Sequence, residues 1–239
     1  MWLFNTVREI QKSAGQTVEP AYIPHTDEDA ILQAVDFAFP CNDPARTWVL
    51  KVHSVMNPGL PRSRIITVHR DPRDVLVSYK EFMKTSFDEA LGHARDVLIF
   101  TERYSHYDPD YLKLIAYNDI ETRPVDLIIE LAEFLAIQLN SPIAEEISEK
   151  YSRKKVQDII KKADESLARK IINNAPVDKR EIVYLSSTNY RAFDPDTGFQ
   201  TGHVSPRQTG DWRNILSAEE QDLVNSEFGD WLKQYGYEE

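Results

Sequence analysis

The stretch RIITVHRDPRDVLVSYKEFM, residues 64–83, decides the fold of this chain. It opens with the apolar, β-branched run 65–68, which predicts a buried strand. Asp71 and Pro72 follow as an N-cap and a first helical residue, and they predict the start of a helix. We therefore expect a strand that turns directly into a helix, with Arg70 at the turn.

The junction between this strand and this helix is a candidate anion site. The free N–H groups and the positive end of a helix start attract phosphate. Arg70 adds a planar fork of donors that suits phosphate oxygens, and Ser78 lies two turns into the helix. Arg70 alone could equally pair with Asp74 on the surface, and Ser78 could bond to its own backbone. The two together beside a helix start favour a phosphate site.

Two further predicted strands carry polar or aromatic residues at their carboxyl ends. Residues 47–53 alternate in polarity and end with Lys51 and His53, and Tyr117 follows the apolar run 111–116. The alternatives are that the strand over 47–53 ends early, which would leave Lys51 and His53 solvated, and that Tyr117 belongs to the core. In open α/β sheets, ligands bind outside the carboxyl ends of the strands. We therefore expect these residues and the strand-to-helix junction to border one crevice.

Composition limits the class of protein. The chain has 239 residues with 41% hydrophobic and 28% charged residues, which is typical of one globular α/β domain. Its net charge of −11 argues against a broad nucleic-acid surface, so an anion site must be a local basic pocket. No apolar run is long enough to span a bilayer, and no signal segment opens the chain. Cys41 is the single cysteine, which excludes an intrachain disulfide and predicts a cytoplasmic protein without a cysteine-bound metal.

Four strings, which follow one another along the chain in the family's order, resemble motifs of the PAPS-dependent sulfotransferases, where PAPS is 3′-phosphoadenosine 5′-phosphosulfate. Residues 70–79 resemble the segment that binds the 3′-phosphate of the donor. Residues 51–53 resemble the K-[ST]-H element, with valine in place of the hydroxyl residue. Residues 117–120, YNDI, are similar to the family's Y-E-D-L. Residues 205–214 resemble the R-K-G-x-x-G-D-W-[KR]-N loop, and their G-D-W-R-N half matches fully.

The resemblance implies roles for individual residues. His53 would be the general base, and Lys51 would offset negative charge on the transferring group. Arg70 and Ser78 would hold the 3′-phosphate, and Tyr117 would contact the adenine. Further contacts to the nucleotide are implied for four residues: Ser152, Arg207, Thr209 and Gly210.

The resemblance also implies an architecture. We expect a P-loop-NTPase-like, three-layer α/β/α fold with a central, mainly parallel sheet, in a single sulfotransferase-like domain over residues 1–239. The family's first strand and its K-x-G-T-T-W loop, which would hold the 5′-phosphosulfate, are not in this sequence, so we expect a truncated start. Residues 142–175 are predicted to be helical and are highly charged. Residues 176–210 lack periodicity and are predicted to be a lid over the donor and the acceptor.

The implied reaction moves a sulfuryl group from PAPS to a hydroxyl or amine of a small-molecule acceptor and leaves PAP, without a metal, a nucleic acid or a membrane. One alternative is a P-loop-related small-molecule kinase, which would need an ATP·Mg²⁺ site, and the sequence has no Walker-type loop. Another is a catalytically impaired PAP- or PAPS-binding or interaction protein. The sequence leaves open the acceptor and the oligomeric state, a homo-oligomer included.

Overall fold

The computed structural model describes residues 1–19, 45–52, 63–184, 189–205 and 207–237. The chain divides into two compact units, each built from two separate segments. The first unit comprises Met1–Ser54 and Arg123–Val204, and the second comprises Val55–Thr122 and Ser205–Glu239. The single domain expected from the sequence stays a prediction.

The described helices and strands are, in chain order, α1 (Trp2–Ser13), β1 (Thr17–Glu19), β2 (Arg46–Trp48), β3 (Ile65–His69), α2 (Pro72–Met83), α3 (Phe87–Ser105), β4 (Leu112–Ala116), α4 (Tyr117–Thr122), α5 (Pro124–Phe134), α6 (Ser141–Lys150), α7 (Arg153–Ile172), a 3₁₀ helix (Lys179–Glu181), β5 (Ile182–Tyr184), β6 (Tyr190–Ala192), α8 (Trp212–Ile215) and α9 (Ala218–Gln234).

In the second unit, β3 and β4 form a parallel pair. The register runs from Ile65 opposite Leu112 to His69 opposite Ala116. Each strand passes almost directly into a helix, β3 into α2 and β4 into α4. Asp71 caps α2 as expected, because its side chain accepts a hydrogen bond from the backbone N–H at position 73 over 2.9 Å. The predicted strands, the helix start and the parallel pairing are therefore confirmed.

The core of the second unit lies among α2, α3, α8 and α9. Aliphatic and aromatic side chains of these helices pack into one buried cluster, and α3 also contacts β3 and β4. Burial of such side chains is the main source of folding free energy. The members of the cluster are Leu76, Val77, Ala90, Leu91, Ala94, Leu98, Trp212, Leu216, Val224, Phe228 and Leu232.

In the first unit, α1 packs against α5 and α6, and β1 pairs in parallel with β2. Ile10 of α1 and Ile128 and Leu131 of α5 are fully buried. β5 and β6 form an antiparallel pair, and β6 contacts α7. The parallel pairs and the helices around them confirm the α/β class.

One predicted element differs from the structure. The strand expected over 47–53 is β2, which ends at Trp48, and residues 49–52 continue without regular structure, while His53 lies outside the described residues. The segment 142–175 is helical as expected and forms two helices, α6 and α7. They are separated where buried Tyr151 leaves helical geometry with φ −113° and ψ 21°.

The predicted lid is not a plain loop. Residues 176–210 contain the 3₁₀ helix and the β5–β6 pair, followed by a bridge between Phe193 and Gln200. Strands of three residues are too short to show the alternation from which a strand is predicted. The closing function of this segment stays a prediction.

Candidate functional site

Arg70 and Tyr117 meet at the carboxyl ends of β3 and β4. Arg70 follows the last residue of β3, and Tyr117 is the first residue of α4 after β4. The guanidinium carbon of Arg70 lies 4.4 Å from the centroid of the Tyr117 ring, within the range of a cation–π contact. The Nε–H group of Arg70 is buried and has no hydrogen-bond partner among the residues that the structure describes. A buried donor thus lies between two strand-to-helix junctions.

Asp74 joins this junction to a distant part of the chain. Its two carboxylate oxygens accept the backbone N–H of Gly210 at 2.9 and 3.1 Å, and the backbone N–H of Trp212 also bonds to it. Only 4% of Asp74 is exposed. Burial raises the pKa of the Asp74 carboxyl, and the Gly210 N–H and the positive charge of Arg70 act in the opposite direction. The carboxylate therefore fixes the segment 209–212 at the start of α2.

Two more carboxylates hold the residues just before Gly210. The Thr209 hydroxyl donates to Glu121 of α4 over 2.9 Å. The Arg207 guanidinium donates to one oxygen of Glu81 in α2, from Nη2 at 2.6 Å and from Nε at 2.9 Å. The segment 207–212, which we call the phosphate loop after the role predicted for it, is thus bonded to α2 and to α4.

Gly210 needs to be glycine at this position. Its φ is +92°, in the left-handed region, and an added Cβ would lie 3.2 Å from Nη1 of Arg213. Trp212, two residues on, is buried and contacts the guanidinium groups of Arg73 at 4.0 Å and Arg213 at 4.4 Å from its ring. These contacts anchor the carboxyl end of the phosphate loop.

The remaining predicted site residues fall into three groups. Ser78 is half-buried and follows Asp74 by four residues, so it lies on the same face of α2. Lys51, beyond the end of β2, and Ser152, at the N-cap of α7, belong to the first unit. His53 lies outside the described residues. The roles assigned to the nine residues stay predictions.

The acidic partners of the phosphate loop were not identified from the sequence. Asp74 has the appearance of an ordinary acid in the first turn of a helix, which is stabilising there without any distant partner. Gly210 is 136 positions away, so no local pattern connects the two. Glu81 and Glu121 look like solvated helix residues for the same reason.

Within the described ranges, no group of three or more His, Cys, Asp or Glu side chains could hold a metal ion. None of the helices in those ranges combines the length and the apolar character that crossing a membrane requires.

The sequence matches the family model described as "Sulfotransferase domain" over residues 49–236. This chain belongs to the sulfotransferase family. The match includes all nine predicted site residues, from Lys51 to Gly210. A search of curated proteins found no match.

Solved structures share the fold at low sequence identity. Mouse sulfotransferase SULT7A1 complexed with PAP has a TM-score of 0.58 at 16% identity, covering 99% of this chain and 84% of that one. Retinol dehydratase in complex with androsterone and the inactive cofactor PAP has a TM-score of 0.57 at 15% identity, covering 97% and 77%. The α/β fold and the sulfotransferase family expected from the sequence are therefore confirmed.

Proposed function

We propose that this chain transfers a sulfuryl group from PAPS to a hydroxyl or amine of a small-molecule acceptor, and that the carboxyl ends of β3 and β4 hold the 3′-phosphate of the donor. The observation that carries the proposal is the buried Nε–H of Arg70, for which the described part of the chain offers no hydrogen-bond partner. Leaving a buried donor without a partner costs roughly 1–3 kcal/mol, and a phosphate oxygen would remove that cost with a charge-assisted bond.

The surroundings of Arg70 support a phosphate ligand. The Tyr117 ring holds the guanidinium in place at 4.4 Å, so less side-chain freedom is lost on binding. The start of α2 adds the positive end of the helix dipole beside Arg70. Ser78, on the same face of α2 as Asp74, offers a hydroxyl donor.

Thr209, Gly210 and Arg207 are proposed to complete the phosphate site. Arg207 is bonded to Glu81, and it would have to exchange that carboxylate for the phosphate. The ion pair is exposed to solvent, and exposed ion pairs are weak. A doubly charged phosphate is therefore a competitive partner for Arg207.

The chemical step is proposed to use residues near the end of β2. The donor supplies an activated sulfuryl group, whose bond to the phosphate oxygen breaks as the acceptor oxygen or nitrogen attacks sulfur. His53 would take the proton of the acceptor, for which an imidazole with an ordinary pKa near ~6.5 is suited. Lys51 would offset the negative charge that develops on the leaving phosphate. Ser152 is proposed as a further nucleotide contact.

The acceptor is proposed to be a small organic molecule in the cytoplasm. Structures that share this fold contain androsterone or retinol, which supports an acceptor of that size class. The single cysteine supports a reducing compartment. No nucleic-acid partner is proposed for a chain of net charge −11, and a homo-oligomer would be compatible with the site.

The direct test measures PAP formation when the protein is incubated with PAPS and a panel of phenols, alcohols and amines. His53→Ala should lose at least about 10²-fold in turnover, the usual contribution of a general base, and should keep its affinity for PAP. His106→Ala is the matched control, because His106 is exposed at the end of α3.

Three outcomes would change the assignment. Full activity of His53→Ala would show that His53 is not the general base. Tight PAP binding without a sulfated product would indicate the impaired nucleotide-binding protein. A thermal shift with ATP·Mg²⁺ and none with PAP would indicate the kinase.

A further inference from the structure

We infer that Asp74 is a positioning residue of the nucleotide site, which holds the phosphate loop at the start of α2 and thereby sets the affinity for the donor. This inference rests on the proposed function, since it concerns the loop next to the Arg70 phosphate site. It adds a residue whose side chain need not touch the nucleotide.

The Asp74 side chain binds the backbone of the phosphate loop through hydrogen bonds. The carboxylate accepts the Gly210 N–H with both oxygens, at 2.9 and 3.1 Å, and it also accepts the Trp212 N–H. These bonds come from two positions of one turn, so they fix both the place and the orientation of the loop backbone. Charge-assisted bonds of this kind are stronger than neutral ones.

The same loop touches both strand-to-helix junctions of the second unit. Asp74 belongs to the junction after β3, which carries Arg70, and the Thr209 hydroxyl reaches Glu121 in α4, which begins with Tyr117. The Arg70 guanidinium in turn lies over the Tyr117 ring at 4.4 Å. Displacing the loop from Asp74 would therefore disturb the groups that we propose to surround the phosphate.

The position calls for a carboxylate. An asparagine would offer one acceptor oxygen, and its NH₂ group would face the backbone N–H of Gly210 or Trp212 as a second donor. It would also remove the negative charge beside Arg70, which interacts electrostatically with Asp74. Because only 4% of Asp74 is exposed, water has little access with which to replace the lost bonds.

The test compares Asp74→Asn with Asp88→Asn in the full chain. Asp88 is the matched control, because it also lies in the first turn of a helix of the second unit and is exposed. The Kd for PAP is measured by calorimetry. The KM for PAPS, the KM for the acceptor and kcat are measured with the best acceptor found. Unfolding is followed in the same samples.

We expect Asp74→Asn to raise the Kd for PAP and the KM for PAPS by about tenfold or more, equivalent to one lost hydrogen bond to a charged group. The KM for the acceptor should stay constant, and Asp88→Asn should resemble the wild type. A purely structural role would lower the unfolding midpoint and leave the KM for PAPS unchanged.

A folded Asp74→Asn protein with wild-type affinity for PAP would overturn the inference and leave the proposed function standing. If the wild type itself does not bind PAP, the proposed function fails and the inference fails with it. If Asp74→Asn does not fold, Gly210→Ala strains the same contact from the loop side, because alanine disfavours φ +92°. Wild-type PAP affinity in that variant would also overturn the inference.

Discussion

Arg73 offers the sharpest prediction about stability in the second unit. Its guanidinium is 5% exposed and is bonded to Asp71, which is 8% exposed, with Nη2 to Oδ2 at 2.8 Å and Nε to Oδ1 at 3.0 Å. It also donates to the side-chain oxygen of Asn225 at 2.9 Å and to the backbone oxygen of Tyr237 at 2.5 Å. One buried cation thus connects the start of α2, the helix α9 and the end of the chain.

Arg73→Met keeps an unbranched, apolar side-chain stem and removes the cation. Because it leaves the Asp71 carboxylate buried without its ion partner, the free energy of unfolding should fall by about 3–5 kcal/mol. Asp71→Asn keeps the N-cap, since asparagine caps helices as well as aspartate does. The double variant should be only about 2 kcal/mol less stable than the wild type, from the two lost hydrogen bonds to Asn225 and Tyr237.

Urea unfolding followed by circular dichroism measures these differences. Arg95→Met is the control, because the Arg95–Glu227 pair is solvent-exposed, so its loss should hardly move the midpoint. A loss at Arg73→Met no larger than at Arg95→Met would refute the role of the buried pair. A double variant less stable than Arg73→Met alone would refute the coupling between Asp71 and Arg73.

Three further predictions concern packing, capping and pH. Leu76→Ala, at a fully buried position, should lose about 2–5 kcal/mol of unfolding free energy, and Leu223→Ala, 48% exposed, should lose much less; equal losses would contradict the burial of Leu76. Ser217→Ala removes the capping box of α9 and should lose about 1 kcal/mol in the same assay, and an unchanged midpoint would contradict the cap. Burial lowers the pKa of His69, whose Nδ1 lies 2.9 Å from the Tyr237 hydroxyl. Below the ordinary pKa of 6.5, the unfolded chain therefore binds more protons than the folded chain. Stability should therefore fall as the pH drops from about 7 to 5, and His69→Asn should flatten that slope in urea unfolding measured across the pH range; a slope as steep as the wild type's would assign the effect to other groups.

Local chemistry made the second unit predictable from the sequence. The β-branched run before Arg70 and the Asp71-Pro72 start define a strand and a helix without help from distant residues. The structure has both elements at those positions, with β4 parallel to β3. The capping box at Ser217 is equally local and is equally present.

Distant pairing explains what the sequence did not predict. β2 stops at Trp48, and its own sequence, whose alternation continues to His53, gives no sign of that limit. Asp74 carries no local mark of its bond to Gly210, which depends on how the chain folds back over 136 positions. The resemblance to a family located the phosphate loop, and only the structure connected it to Asp74.

The most direct test of the phosphate site compares the affinities of Arg70→Ala and Arg64→Ala for PAP by calorimetry. Both variants remove one positive charge, and the two residues flank opposite ends of β3. If Arg70 holds the 3′-phosphate, its loss should weaken PAP binding by about 10- to 150-fold, the equivalent of roughly 1.5–3 kcal/mol for a bond to a charged group, and the loss of Arg64 should change it little. Equal affinities of the two variants would contradict the phosphate site at the end of β3.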